Sequence, residues 1–302
     1  MTKDDNIIFL KNPNEVLEHL IKNFIQTTEF NRRTQIDQGV YFDEPLVGFA
    51  SGNDPLFLEY KNIIGAFHST PTEIISAALR DKGKELLPAE ADRISVISWV
   101  LPAHEDVRKS NRMEDRFPSK LWLDLKEFGE ACNNAIRRHV VRYLGDLGYL
   151  AVAPVLLPSV QTFRDEKVGW ASSWSERHIA YACGLGTFGL CDGLITPKGK
   201  AVRIGSVVTN LKLAPTDRGY RHPKENCLFF RNEKCGRCMQ RCPAGAITEK
   251  GHDKDRCRDY CNSESLQVKR LEYGQQKSSL ACGLCQTGVP CEFKIPRPDL
   301  IA

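Results

Sequence analysis

Nine of the chain's twelve cysteines fall between positions 227 and 291, while Cys132, Cys183 and Cys191 are scattered through the first two-thirds. The nine include Cys235-x2-Cys238-x3-Cys242-Pro243 and a second close pair, Cys282-Gly283-Leu284-Cys285. Short loops carrying two or three thiols and a glycine suit an iron–sulfur cluster, because backbone N–H groups must approach the inorganic sulfides. The first stretch is the latter part of the run C-x2-C-x2-C-x3-C-P, whose last cysteine ligates the other cluster of a two-cluster protein. The run's opening cysteine would fall at Asn232, so that ligand must come from elsewhere. The competing chemistry is one zinc ion held by the two C-x2-C pairs, with Cys238 and Cys282 facing. Zinc leaves Cys227, Cys242, Cys257, Cys261 and Cys291 without a role and does not account for Cys-Pro. Iron–sulfur chemistry therefore leads.

The segment "ACGLGTFGLCDGLITPKG" carries glycines at 184, 186, 189 and 193. Its G-x-G-x-x-G spacing follows a helical pattern instead of a strand, so a dinucleotide-binding turn is not supported. Cys132 lies on the apolar face of a helical pattern and Cys183 before the glycines, and both read as packed thiols. Cys191, just after Gly189 where a pocket would open, is a candidate cofactor contact.

These residues need elements to hold them. A chain of 302 residues with 41% hydrophobic and 26% charged residues is an ordinary globular protein of one large or two smaller domains. The net charge of +4 is too small to argue for nucleic acid. No apolar run reaches membrane-spanning length, and residues 1–25 do not read as a signal peptide, so the expected location is the cytoplasm. In that reducing setting the cysteines favour metal over disulfides. Asn12-Pro13-Asn14-Glu15 opens a helix over 12–28, and Thr70-Pro71-Thr72-Glu73 repeats the capping pattern. "RISVISWVL" (93–101), "YLAVAPVLLP" (149–158) and "AVRIGSVVTNLKL" (201–213) read as strands. From Ser119 a long helix is expected, with Leu121, Leu125, Phe128, Cys132, Ile136, Val140 and Leu144 on its apolar face. Helices and strands mix up to about 215, and the remainder is rich in cysteine, charge, glycine and proline. The reading is an α+β chain: an α/β cofactor- and substrate-binding domain over 1–215 and a two-cluster module over 216–302.

"SERHIAYACGLGTFGLCDGLITPKGKAVRIGSVVTNLKL" (175–213), followed by "CGRCMQRCPAGAI" (235–247), resembles the epoxyqueuosine reductase and reductive dehalogenase superfamily. The resemblance covers roughly 120–302. It implies a nitroreductase-like corrinoid-binding core followed by a bacterial-ferredoxin-like module with two [4Fe–4S] clusters. It also implies the ligand sets. Cys227, Cys235, Cys238 and Cys291 would hold one cluster, and Cys242, Cys257, Cys282 and Cys285 the other, with Cys261 able to replace Cys257. "LFFRNEK" (228–234) then becomes an inserted loop that makes Cys227 the stand-in for a cysteine at 232. Gly184, Gly186 and Gly189 would give a cobalamin close approach to the backbone.

The resemblance implies reduction: low-potential clusters pass single electrons to the corrinoid while a side chain donates a proton. The epoxyqueuosine reductases place an aspartate a few residues before the "ER" that matches Glu176–Arg177; here Trp170 falls near it, with Asp165 further upstream. The dehalogenases use a tyrosine with a basic neighbour, for which Tyr181 and Arg177 are the candidates; His178 and His139 are further possible donors. The expected partners are a low-potential donor such as ferredoxin or flavodoxin and a small-molecule substrate. Two other readings stand beside this one: an electron carrier serving a partner, and a cluster-dependent reductase without corrinoid.

Overall fold

The computed structural model describes residues 9–34, 36–232, 235–275 and 282–297. In chain order its elements are helix α1 (Pro13–Thr27), strand β1 (Leu46–Ser51), helices α2 (Leu56–Ile63) and α3 (Pro71–Arg80), strand β2 (Ser95–Pro102), helices α4 (Glu105–Arg112) and α5 (Lys120–Asp146) and strand β3 (Ala151–Val152). There follow the hairpin β4 (Thr162–Asp165) and β5 (Gly169–Ser172), helix α6 (Glu176–Ala182), the short pair β6 (Thr187–Phe188) and β7 (Leu194–Ile195), and strand β8 (Val202–Thr209). The cysteine-rich part adds α7 (Leu228–Asn232), α8 (Arg237–Gln240), the pair β9 (Ile247–Thr248) and β10 (Gly251–His252), α9 (Lys254–Asn262) and α10 (Glu264–Glu272).

A four-stranded antiparallel sheet in the order β1-β2-β8-β3 forms the middle layer. Every residue of β2 is buried. Alternate side chains serve opposite faces, as strand geometry requires. Ile97, Trp99 and Leu101 join α1 and α5 through Leu17, Ile21, Ile136 and Val140. Val96 and Val100 face the other way, towards Ile74, Ile75, Phe57, Trp174 and Ile179. The α+β class expected from the sequence is the class observed.

Local signals held to differing degrees. Thr70 and Glu73 form the full capping box. Ser119 caps α5 through Trp122 N. Asn12 makes no side-chain cap; the neighbouring Asn14 instead bonds both backbone groups of Ala214, fastening α1 to the end of the core. The strand expected over 149–158 shrinks to β3, because Pro154 lacks the N–H a ladder needs and starts a 3₁₀ turn. Phe128 is exposed and stacks on Tyr41, so the buried face of α5 runs through Trp122, Leu125, Gly129 and Cys132.

Two charged side chains fasten the cysteine-rich part to this core, one through ion pairs and one through backbone carbonyls. The carboxylate of Glu292, 1% exposed, accepts hydrogen bonds from Arg112 Nη2 at 2.6 Å and Arg108 Nη1 at 3.4 Å on α4, and from Gly288 N at 2.7 Å. Arg241 Nη1 and Nη2 donate to the carbonyls of Glu114 and Asn111 at 2.6 and 3.0 Å, while its Nε donates to Thr287 O at 3.0 Å. Glu292→Gln is expected to lower stability by about 2 kcal/mol, because Arg108 and Arg112 lose their buried counter-charge. A shift in the denaturant midpoint reads this; an unchanged midpoint would mean that solvent serves the arginines equally well.

Candidate iron–sulfur centres and adjoining cavities

Cys227, Cys235, Cys238 and Cys291 converge on one small space of about 20 Å³, walled by Leu190, Ile195, Leu228, Phe229 and Val289. The carbonyl of Cys227 accepts from Phe230 N and Arg231 N at the start of α7, so residues 228–232 of the expected inserted loop are helical; Glu233 and Lys234 lie outside the described residues. Cys291 arrives by a long-range route. Gly199, at φ +80°, passes so close to the Glu292–Phe293 backbone that a Cβ would sit 2.3 Å from Glu292 O. That approach lets Lys200 N donate to Cys291 O at 2.9 Å.

Cys242, Cys257, Cys261, Cys282 and Cys285, with Cys191, line a second and larger cavity of about 590 Å³. Cys257 and Cys261 are one turn apart on α9 and therefore face the same way. Burial, then the nearby Cys257 and Cys242, push the Cys282 thiol up to about 12. Thiols so placed ionise readily only when a metal takes the charge. The two C-x2-C pairs line different spaces, Cys235 and Cys238 the small one and Cys282 and Cys285 the large one, and approach each other at Cys191, whose thiol bonds both Cys238 and Cys285. Among the described residues no three His, Cys, Asp or Glu side chains converge at single-ion spacing. A zinc ion would draw its sulfurs to within about 4 Å of one another, given bonds near 2.3 Å. Four cysteines in an apolar wall suit a cubane by donor chemistry. Its seating would spread the sulfurs of the smaller group, where about one water fits.

Cys191 sits where the two groups meet. The turn Gly189–Gly193 closes through Gly189 N to Gly193 O at 2.8 Å, with Asp192 at φ +58°. Asp is among the few side chains that tolerate this left-handed conformation. Lys200, 2% exposed, donates from Nζ to Cys191 Sγ at 3.2 Å.

A third cavity, of about 760 Å³, shares Trp170, Glu176, Arg177 and Lys254 with the second. Tyr181 and Arg177 both line it, as do His178, Phe188, Gly189 and Asp192. Burial raises the Tyr181 phenol above its ordinary value. Arg177 Nη1 donates to Asp192 O at 2.6 Å. Its neighbour Glu176 bonds Arg137 Nη2 at 2.9 Å and Ser206 Oγ at 2.6 Å, locking α6 to α5 and β8. The hairpin β4–β5 closes over α9: Arg164 pairs with Asp255 at 2.8 Å, and Arg258 lies 3.7 Å over the Trp170 ring. Asp165 accepts from Lys167 N and Val168 N in the hairpin turn, a structural task.

Other expected residues fall elsewhere. A Cβ on Gly184 would meet Asp217 O at 2.9 Å, and one on Gly186 would meet Ile195 O at 2.5 Å. Neither lines the cavities described, and their close approach is to protein backbone; Gly189 lines the small space and the third cavity, and Gly193 the second. Cys132 and Cys183 are fully buried in the core, as packed thiols. His139 stacks on Phe24 at 4.7 Å, outside the cavity linings. His178, its Nδ1 against Ser175 Oγ at 2.8 Å, is driven down to about 3 by burial and Arg177, so its ring is neutral at neutral pH and keeps a single N–H. Lys200, Arg241, Glu292 and His252 were not singled out from sequence. His252 bonds Asp192 at 3.2 Å; burial opposes its charge, but Asp192 and Cys257 lift it to about 9.

Two outcomes are expected. Cys227→Ser or Cys291→Ser should remove roughly half of the bound iron after anaerobic reconstitution, whereas Cys132→Ser should remove none; equal iron in all three would reject the grouping. The second concerns His68, which accepts from Ser175 N at 3.2 Å and stacks on Trp174. Burial, then Lys61, lowers it to about 4. Because the folded value lies below the unfolded 6.5, its contribution is whole above pH 6.5 and is lost as pH falls towards 4, by about 2 kcal/mol at pH 5. Thermal midpoints at pH 7 and 5 read this, and His68→Gln should flatten the difference.

No protein-family model matches the chain, and no curated protein matches its sequence. Solved structures similar to it include an epoxyqueuosine reductase from Bacillus subtilis, at 17% identity and a TM-score of 0.45, covering 93% of this chain and 66% of that one. The epoxyqueuosine reductase from Streptococcus thermophilus is 13% identical with a TM-score of 0.39, covering 90% and 65%. A catabolic reductive dehalogenase is 16% identical with a TM-score of 0.47, covering 83% of this chain and 30% of that one. The chain thus spans just under two-thirds of these reductases and less than a third of the dehalogenase.

Proposed function

We propose that the chain is an iron–sulfur oxidoreductase in which two [4Fe–4S] clusters pass single electrons to a corrinoid for reduction of a small-molecule or nucleoside substrate. The observation that carries this reading is the meeting of two cysteine groups, the second of which opens into a cavity adjoining another. Cys227, Cys235, Cys238 and Cys291 would hold one cluster; Cys242, Cys282 and Cys285, with Cys257 or Cys261, would hold the other. A corrin needs room at the upper end of the range for small-molecule sites, about 1,000 Å³; the third cavity offers about 760 Å³, and the rest would come from the part of the 590 Å³ cavity that the second cluster leaves free. When bound, the corrinoid would supply a strongly reducing cobalt centre.

The chain's own residues do the rest. Trp170, between the cavities, offers an aromatic face whose tilt Arg258 fixes. Leu190, Phe188 and Ile63 give the third cavity an apolar part of its wall. Tyr181 holds a proton at its phenol oxygen at neutral pH, as an ordinary phenol does and the more firmly for its burial, and Arg177 places a positive charge in the same cavity. The electron source would be a low-potential one-electron donor such as ferredoxin or flavodoxin.

Anaerobic purification tests the reading. Iron and sulfide near eight each per chain, with tight retention of added cobalamin, are expected. Zinc in place of iron overturns the clusters; clusters without cobalamin retention overturn the corrinoid and leave a cluster-dependent reductase. Tyr181→Phe should lower turnover by about 10²-fold or more with cobalamin retention unchanged. Undiminished turnover would remove Tyr181 from the reaction.

A further inference from the structure

Lys200 is the residue shared by the lining of the small four-cysteine space and of the large cysteine-lined cavity. Its side chain is buried, and among the described residues no carboxylate lies within 4.0 Å of its ammonium. Its polar partner is Cys191 Sγ at 3.2 Å, and its backbone N–H is bonded to Cys291 O. A buried ammonium without a counter-ion is costly by several kcal/mol, so this position calls for negative charge close by. The thiols on its two sides answer that need only when ionised. Four thiolates around an oxidised [4Fe–4S] core make a dianion, and one added electron makes a trianion.

We propose that Lys200 is a fixed counter-charge between the two clusters and raises the reduction potential of the one held by Cys227, Cys235, Cys238 and Cys291. Cys191 is the neighbour that holds the ammonium there. The step is a one-electron transfer from the reduced low-potential donor to the cluster; no bond forms or breaks, and the added charge is stabilised by the ammonium. Lys200 is a positioning residue of the electrostatic kind, since its ammonium bonds Cys191 Sγ and lies between the two cysteine groups. The inference rests on the two-cluster reading above and deepens it.

The full chain, reconstituted anaerobically, is titrated with dithionite while the reduced clusters are followed by electron paramagnetic resonance. Lys200→Gln should keep its iron and weaken the reduction equilibrium of one cluster by tenfold or more, each tenfold being about 59 mV for one electron. Lys200→Arg, which keeps the charge, should restore most of the shift, and Cys191→Ser should keep full iron. A glutamine variant with full iron and unshifted clusters overturns the proposal while leaving the two-cluster reading intact. Loss of iron from both Lys200 variants also overturns it, because the lysine would then serve assembly. Loss of iron from Cys191→Ser overturns it too, by making Cys191 a ligand. Absence of iron from the wild-type chain instead overturns the reading beneath it.

Discussion

The buried carboxylate of Glu292 is the constraint on which the site depends. It lies one residue after Cys291 and is bonded to two arginines of α4, so the far end of the cysteine-rich part cannot settle without the core. Gly199 and Lys200 press against the same stretch from the other side. Arg241 does the equivalent between the two cysteine motifs, joining Thr287 to Asn111 and Glu114 through backbone carbonyls. The cysteine groups are therefore held by charge pairs and backbone contacts with a helix distant in sequence, together with a small apolar cluster of their own that includes Leu190, Ile195, Ile247 and Val289.

The interior is consequently polar where the chemistry is expected. Arg137 is almost fully buried yet bonds Glu130, Glu176 and Asn134 at 2.7–2.9 Å. Such a network is worth keeping where orientation matters, because breaking one member leaves another charge unpaired. It fixes α6, and through α6 the placement of Arg177 and Tyr181. The layered sheet beneath, with β2 buried along its whole length, gives these charges a rigid footing.

Much of the fold was legible because its signals are local or periodic. The capping box at Thr70, the long helix after Ser119 and the strands β2 and β8 follow from spacing alone. The grouping of Cys227 with Cys235, Cys238 and Cys291 could be anticipated only by way of a family resemblance, since no local rule spans those gaps. Lys200 was not legible. A lysine in "TPKGKA" reads as an exposed turn residue, and its burial arises from the contact of Gly199 with Glu292, which sequence separation hides. Gly184 and Gly186 show the converse: a glycine-rich stretch signals close approach but not to what, and here the neighbour is the chain itself.

The route by which Cys291 reaches its partners also has a consequence for biogenesis. If Cys291 ligates a cluster, that centre would close only after the second motif has been made and Glu292 has met α4. Cluster insertion would then be a late event that reports a finished core.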